Sequence, residues 1–102
     1  MQVDSLGEII ARRSLTRDSE DGCVREVEVL VGKPQGSPGA DDWYCPFQIT
    51  GLGSDGIRFV VGVDSIQAVQ LAFRYIGTLL ARVQGLKWLG RDVLGFPLSA
   101  SE

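Results

Sequence analysis

Between Cys23 and Val31 apolar and polar residues alternate, with Val27, Val29 and Val31 on one side and Glu26 and Glu28 on the other. A period of two is the mark of a half-buried strand, valines inward and glutamates toward water. Leu6 to Leu15 reads as the strand before it, with Ile9 and Ala11 on one side and Glu8, Ile10 and Arg12 on the other. Both sides carry apolar residues, so the pattern leaves its inward face open. The polar run from Thr16 to Gly22 ends in Asp-Gly and joins the two as a hairpin.

Residues 33–40 hold two prolines and two glycines, which argues for an exposed loop without a regular ladder. Alternation returns over 42–50, placing Trp43, Cys45, Phe47 and Ile49 together; Pro46 lacks an N–H, so this strand is expected at an edge or bulged there. The Gly51-Leu52-Gly53-Ser54-Asp55-Gly56 stretch turns the chain into a fourth strand over 57–63, antiparallel to the third, with Ile57, Phe59, Val61 and Val63 as its inward set.

The period then changes. Ile66, Val69, Phe73, Ile76, Leu80 and Val83 recur at steps of three and four, widened by Ala72, which predicts an amphipathic helix over 65–84. Asp64 is placed to accept first-turn N–H groups, Gln67 to bond back, and Gly85 to end the helix. Beyond it, residues 86–102 carry Trp88, Leu89, Val93, Leu94, Phe96 and Leu98 in short pieces broken by Gly90, Gly95 and Pro97. Such a tail is too apolar for a solvated coil and should dock on the domain or on a second copy.

These elements predict an α+β fold: one domain over 1–102, with a four-stranded, mainly antiparallel sheet in β-β-β-β-α order. The strands fall at about 6–15, 23–31, 42–50 and 57–63, and the long helix packs across one face. The expected core is Trp43, Phe47, Ile49, Phe59, Val61, Ile66, Val69, Phe73, Ile76 and Leu80.

Composition narrows the function more than it identifies it. In 102 residues there is room for one small core. Thirteen acidic against ten basic side chains, net −3, argue against nucleic acid as the main partner, since phosphate contacts need clustered cations. The acidic excess lies in residues 1–64, with 11 acidic and 6 basic side chains, while 65–102 carry 2 and 4. Histidine is absent, which removes the commonest general base and metal ligand and every Ser-His or Cys-His pair. The charged first twenty residues lack a signal peptide's apolar run, and no stretch is long enough to span a bilayer, so the expected setting is cytoplasmic, without membrane contact.

The remaining candidates for chemistry are few. Cys23 and Cys45 have neither zinc-ligand spacing nor a histidine to activate them, and a reducing compartment favours free thiols. Asp41-Asp42 and Glu20-Asp21 are neighbours in loops, which suits neither a calcium loop nor a carboxylate pair across a cleft. Gly51-Leu52-Gly53 lacks the Lys-Ser/Thr of a phosphate loop and leads into a strand. No catalytic residue, metal ligand or cofactor-binding residue is assigned, and no cofactor is expected.

Surface features point toward association. Arg74 and Arg82 recur on the polar helix face and can join Lys87 and Arg91 in a basic patch. Gly77, inside the helix, costs roughly 1 kcal/mol against alanine unless a strand, the tail or a second helix approaches it closely. Arg74, Gly77, Arg82 and Trp88 are therefore the candidate interaction surface.

The run Asp42-Trp43-Tyr44-Cys45-Pro46-Phe47-Gln48-Ile49, with Gly62-Val63-Asp64-Ser65-Ile66-Gln67-Ala68 and Arg74-Tyr75-Ile76-Gly77, resembles an uncharacterised family of small bacterial proteins, a domain of unknown function. The resemblance covers about a third of the chain. It implies a bacterial source and a compact sheet-plus-helix domain, and it carries over no reaction and no catalytic residue.

The leading expectation is a non-catalytic interaction protein that binds another protein or itself, as a homodimer or in an immunity- or antitoxin-like role. The rival is a small-ligand binder or minor enzyme with a cleft beside Trp43 to Phe47, using Asp42, Tyr44 and Arg74 as polar groups. A concave pocket there would favour the rival, and a flat apolar surface closed by two-fold symmetry would favour association.

Overall fold

A computed structural model describes residues 1–97. Leu98 and the rest of the expected tail lie outside the described residues. The elements are β1 (Ile9–Asp18), β2 (Val24–Gly32), β3 (Gln35–Gly36), β4 (Trp43–Thr50), β5 (Arg58–Gly62), α1 (Ser65–Leu80) and β6 (Leu86–Lys87). The class is α+β with an antiparallel sheet, as expected, but six strand segments replace four. Two are two-residue additions: β3, inside the Pro/Gly loop, pairs with Tyr44 and Trp43, and β6 pairs with Thr16 and Arg17.

Because β2 and β3 lie on the same side of β4, the sheet has five ranks, in the order β5, β4, β2 with β3, β1, β6. Pairing of β4 with β2 ends at Phe47 and resumes with β3 at Tyr44. Pro46 falls in that gap. Ser37 N–H bonds the Asp42 carbonyl at 2.9 Å, so even-numbered residues of β4 direct their backbone groups to the β3 side. The missing N–H of Pro46 thus faces the interruption, and proline is accommodated in an inner strand instead of at an edge.

The first strand runs to Asp18, three residues beyond the expected limit, which shortens the turn to Ser19–Cys23. The Asp21 carboxylate there accepts the Ser19 hydroxyl and the Cys23 N–H, which with Arg25 holds it ionised down to about pH 2. Residues 11–18 pair with β2 so that Ala11, Arg13, Leu15 and Arg17 share the valine face.

Packing on that face corrects the expected core. Phe47, Ile49, Ile76 and Leu80 are buried as anticipated, with Val69 and Phe73 packed against them. Trp43, Val61 and Ile66 are 37%, 42% and 68% exposed. The β5 error is one of parity: Cys45 pairs with Val60, so Val60 faces the core while Phe59 and Val61 face away. On α1 the buried line is Ala68, Ala72, Ile76 and Leu80, rotated from the stripe centred on Ile66 and Phe73. Small residues lead that line because the helix crosses β5 at close range; a Cβ on Gly62 would lie 2.5 Å from the Ala68 nitrogen.

The helix starts as expected, with Gln67 N–H bonding the Asp64 carboxylate at 2.8 Å, while the Gln67 side chain accepts from Val63 N–H at 2.7 Å. It ends at Leu80, not at 84, because the following N–H groups tighten into three-residue turns onto Leu79 and Leu80. Gly85, with φ +82°, then turns the chain into β6 on the far edge of the sheet. No helix among the described residues is long and apolar enough to cross a membrane.

Candidate interaction surface

The helix covers β4 and β5, and the C-terminal tail completes the second layer over β1 and β2. Trp88 and Arg91 exchange both backbone bonds, at 2.9 and 3.0 Å, around Leu89 and Gly90. Both central residues have positive φ, 53° and 77°, the type I′ geometry that suits Asn-Gly. Leu89 is 81% exposed and gains nothing from packing. Leu89→Asn is therefore expected to stabilise the protein by roughly 0.5–1 kcal/mol, read as a higher urea midpoint; an unchanged or lower midpoint would contradict this turn.

The chain then returns beside α1. Arg13 fixes it: the guanidinium stacks 3.8 Å from the Trp88 ring centre and 5.0 Å from that of Phe96, and donates to the Leu94 carbonyl at 2.9 Å. Arg13 was not among the expected functional residues. Its only sequence signal is a cation at a position that alternates with Ala11 and Leu15.

Of the four residues expected to form an interaction surface, two, both half-buried, make contacts that dock this tail. A Cβ on Gly77 would lie 2.9 Å from the Pro97 carbonyl oxygen and 3.1 Å from Phe96 Cβ, so the tail is the close approach its glycine requires. The ring of Trp88 holds Arg13 within the same chain. Arg74 is exposed on α1 and Arg82 in the turn just after it, and Arg82 joins Gly77 along a groove of about 510 Å³ between helix and tail. A second cavity, of about 280 Å³, lies among Ala11, Arg13, Val29, Val31, Phe73 and Phe96. Trp43 to Phe47 line neither of these. In that strand Cys45 and Phe47 are buried and Tyr44 packs edge-on against Phe59, while Asp42 Oδ1 is buried without a partner near the equally unpartnered Ser37 Oγ.

Cys23 is exposed and Cys45 buried, both as free thiols. Burial pushes the Cys45 thiol up to about 11, away from nucleophilic use. The native protein is expected to take up one equivalent of a maleimide quickly, at Cys23, and a second only on unfolding. Two fast equivalents would place Cys45 at the surface. The same shift favours the folded protonated thiol, so its contribution to stability is full below the unfolded thiol's range near 9.0 and is lost as pH rises toward 11.

The surface that the expected core did not anticipate lies at the other edge. Trp43, Val61, Val63 and Ile66, with exposures from 37% to 76%, share the β5 end of the sheet and the first turn of α1. Odd-numbered residues of β4 pair their backbone groups with Arg58, Val60 and Gly62, so the N–H and C=O of Phe59 and Val61 point to the outer edge. Among the described residues no strand other than β4 pairs with β5. Residues 57–63 contain neither proline nor lysine, two common guards of an edge strand, and their one charge, Arg58, sits at the start of β5. The signal in the sequence was the unbroken Phe59-Val60-Val61, apolar on both faces of a strand.

A family model described as a domain of unknown function, DUF6968, matches residues 11–98, so the chain belongs to that family. No curated protein and no solved structure matches the chain.

Proposed function

We propose that this member of the DUF6968 family is a non-catalytic protein–protein interaction module whose docking surface is the outer edge of β5 with Trp43, Val61, Val63 and Ile66. The observation that carries the reading is that edge: two residues with outward backbone groups, flanked by exposed apolar side chains, with the single charge of the strand, Arg58, confined to its first position. The reading places the domain in a bacterial cytoplasm, in keeping with its motif resemblance, and an immunity- or antitoxin-like role is one form it takes.

The test is affinity capture from an extract of the source organism, with a second, differently tagged copy of the chain co-expressed. Wild type, Val61→Glu and Val61→Pro serve as baits. The expected result is a stoichiometric protein, either the second copy or another chain, held by wild type and released by both variants. A small molecule on wild type with no protein, or a protein retained equally by all three baits, refutes the proposed surface. The first of these would turn attention to the 280 Å³ cavity and to a ligand-binding role.

A further inference from the structure

Resting on that interaction reading, we infer that the partner of the β5 edge is a second copy of this chain, paired antiparallel across a two-fold axis at Val60. The backbone selects this register. Phe59 and Val61 direct both N–H and C=O outward, whereas the N–H of Val63, next in that series, is taken by the Gln67 side chain at 2.7 Å. Placing Phe59 opposite Val61 of the second copy, twice by symmetry, uses all these outward groups in four N–H···O bonds and needs nothing from Val63. A register centred on Val61 would instead set Phe59 against the occupied N–H of Val63.

The side chains fit the same register. On the face away from the helix, Phe59 meets Val61 of the second copy and covers part of its exposed side chain. On the helix face, Arg58 lies opposite Gly62, which has no side chain, and diagonal to Asp64, whose extended backbone (φ −140°, ψ −179°) continues the line of the strand. Diagonal neighbours are about 7–8 Å apart, within an arginine's reach, so each copy offers a cation to the other's carboxylate. Asp64 Oδ1 already accepts Gln67 N–H, and the second oxygen serves the arginine. The surface is thus self-complementary in hydrogen bonds, in apolar contact and in charge.

Three measurements on the full chain test this. Light scattering with size exclusion is expected to give twice the 11.1 kDa chain mass for wild type and the single-chain mass for Val61→Pro, with unchanged far-UV circular dichroism. The proline removes an outward N–H and no bond to β4, as an edge strand tolerates. In a Cys23→Ser, Cys45→Ala background, which also removes the thiol opposite Val60 in the same chain, Val60→Cys is expected to link into a covalent dimer with diamide, which takes up the two electrons and two protons of the paired thiols. Val60 faces its own symmetry mate in a non-hydrogen-bonded pair, where Cα atoms lie about 4.5 Å apart and a disulfide can form. Val63→Cys in that background is expected to stay single. The cross-linking stands even if Val61→Pro fails to fold. A wild type that remains at the single-chain mass at every loading concentration overturns self-pairing, as does a dimer in which Val63→Cys links and Val60→Cys does not. Capture of a different protein through the same edge would then keep the interaction reading and reject only the second copy.

Discussion

Phe47→Ala is expected to lose about 3–5 kcal/mol of folding stability, a large part of the roughly 5–15 kcal/mol that holds a domain of this kind. Phe47 is fully buried in the inner strand β4, opposite Val31 on one side and Arg58 on the other, and its ring meets Tyr75 of α1 edge-on at 5.8 Å. Truncation removes the apolar area and leaves a cavity between sheet and helix that the flanking ladders hold open. Urea unfolding followed by circular dichroism reads the effect, and Phe47→Leu should recover most of it. A loss below about 1 kcal/mol, the scale of an ordinary substitution, would mean that α1 does not seat on Phe47. Such a variant also serves the interaction test, since a loss of partner through unfolding is then separable from a loss at the folded β5 edge.

Arg13→Ala is expected to free the tail, at a cost of about 2–3 kcal/mol, from one charged hydrogen bond and the stacking of a cation on Trp88 and Phe96. Lysine keeps the charge but not the planar stacking, so Arg13→Lys should fall between wild type and alanine. Limited proteolysis within residues 92–97 is the direct readout, with faster cleavage there and unchanged far-UV circular dichroism. Unchanged protection across those residues would show that the tail is held by other contacts. Freeing it would also uncover Gly77 and the helix face beside it, and with them the surface that the sequence had suggested for association.

The strand and helix periods were legible because they are local. The valine face of β2, the Asp64 start of α1 and the β4–β5 hairpin each follow from neighbouring residues, and the structure bears out all three. Phe59-Val60-Val61 was not legible in the same way: with apolar residues on both faces, a shift of one residue costs the pattern nothing, and only pairing with Cys45 decides which side is inward. Ile66 likewise fits the helical stripe, but the close crossing at Gly62 turns Ala68 and Ala72 toward the sheet and leaves Ile66 at the surface. These two reversals produced the candidate site. Residues assigned to the core became the exposed edge, and Gly77 and Trp88, assigned to the surface, became contacts of the tail.

By itself, then, the sequence determined the α+β class, the order of the long strands and the helix, the antiparallel hairpins and the lack of histidine chemistry, since each depends on short-range spacing or on composition. Tertiary structure alone decided the parity of β5, the place of Pro46 at an interruption inside the sheet, the capture of the tail by Arg13 and the outward edge of Phe59 and Val61. Each of these is set by which distant segment arrives alongside, and a backbone group is satisfied or left outward only when that neighbour is in place.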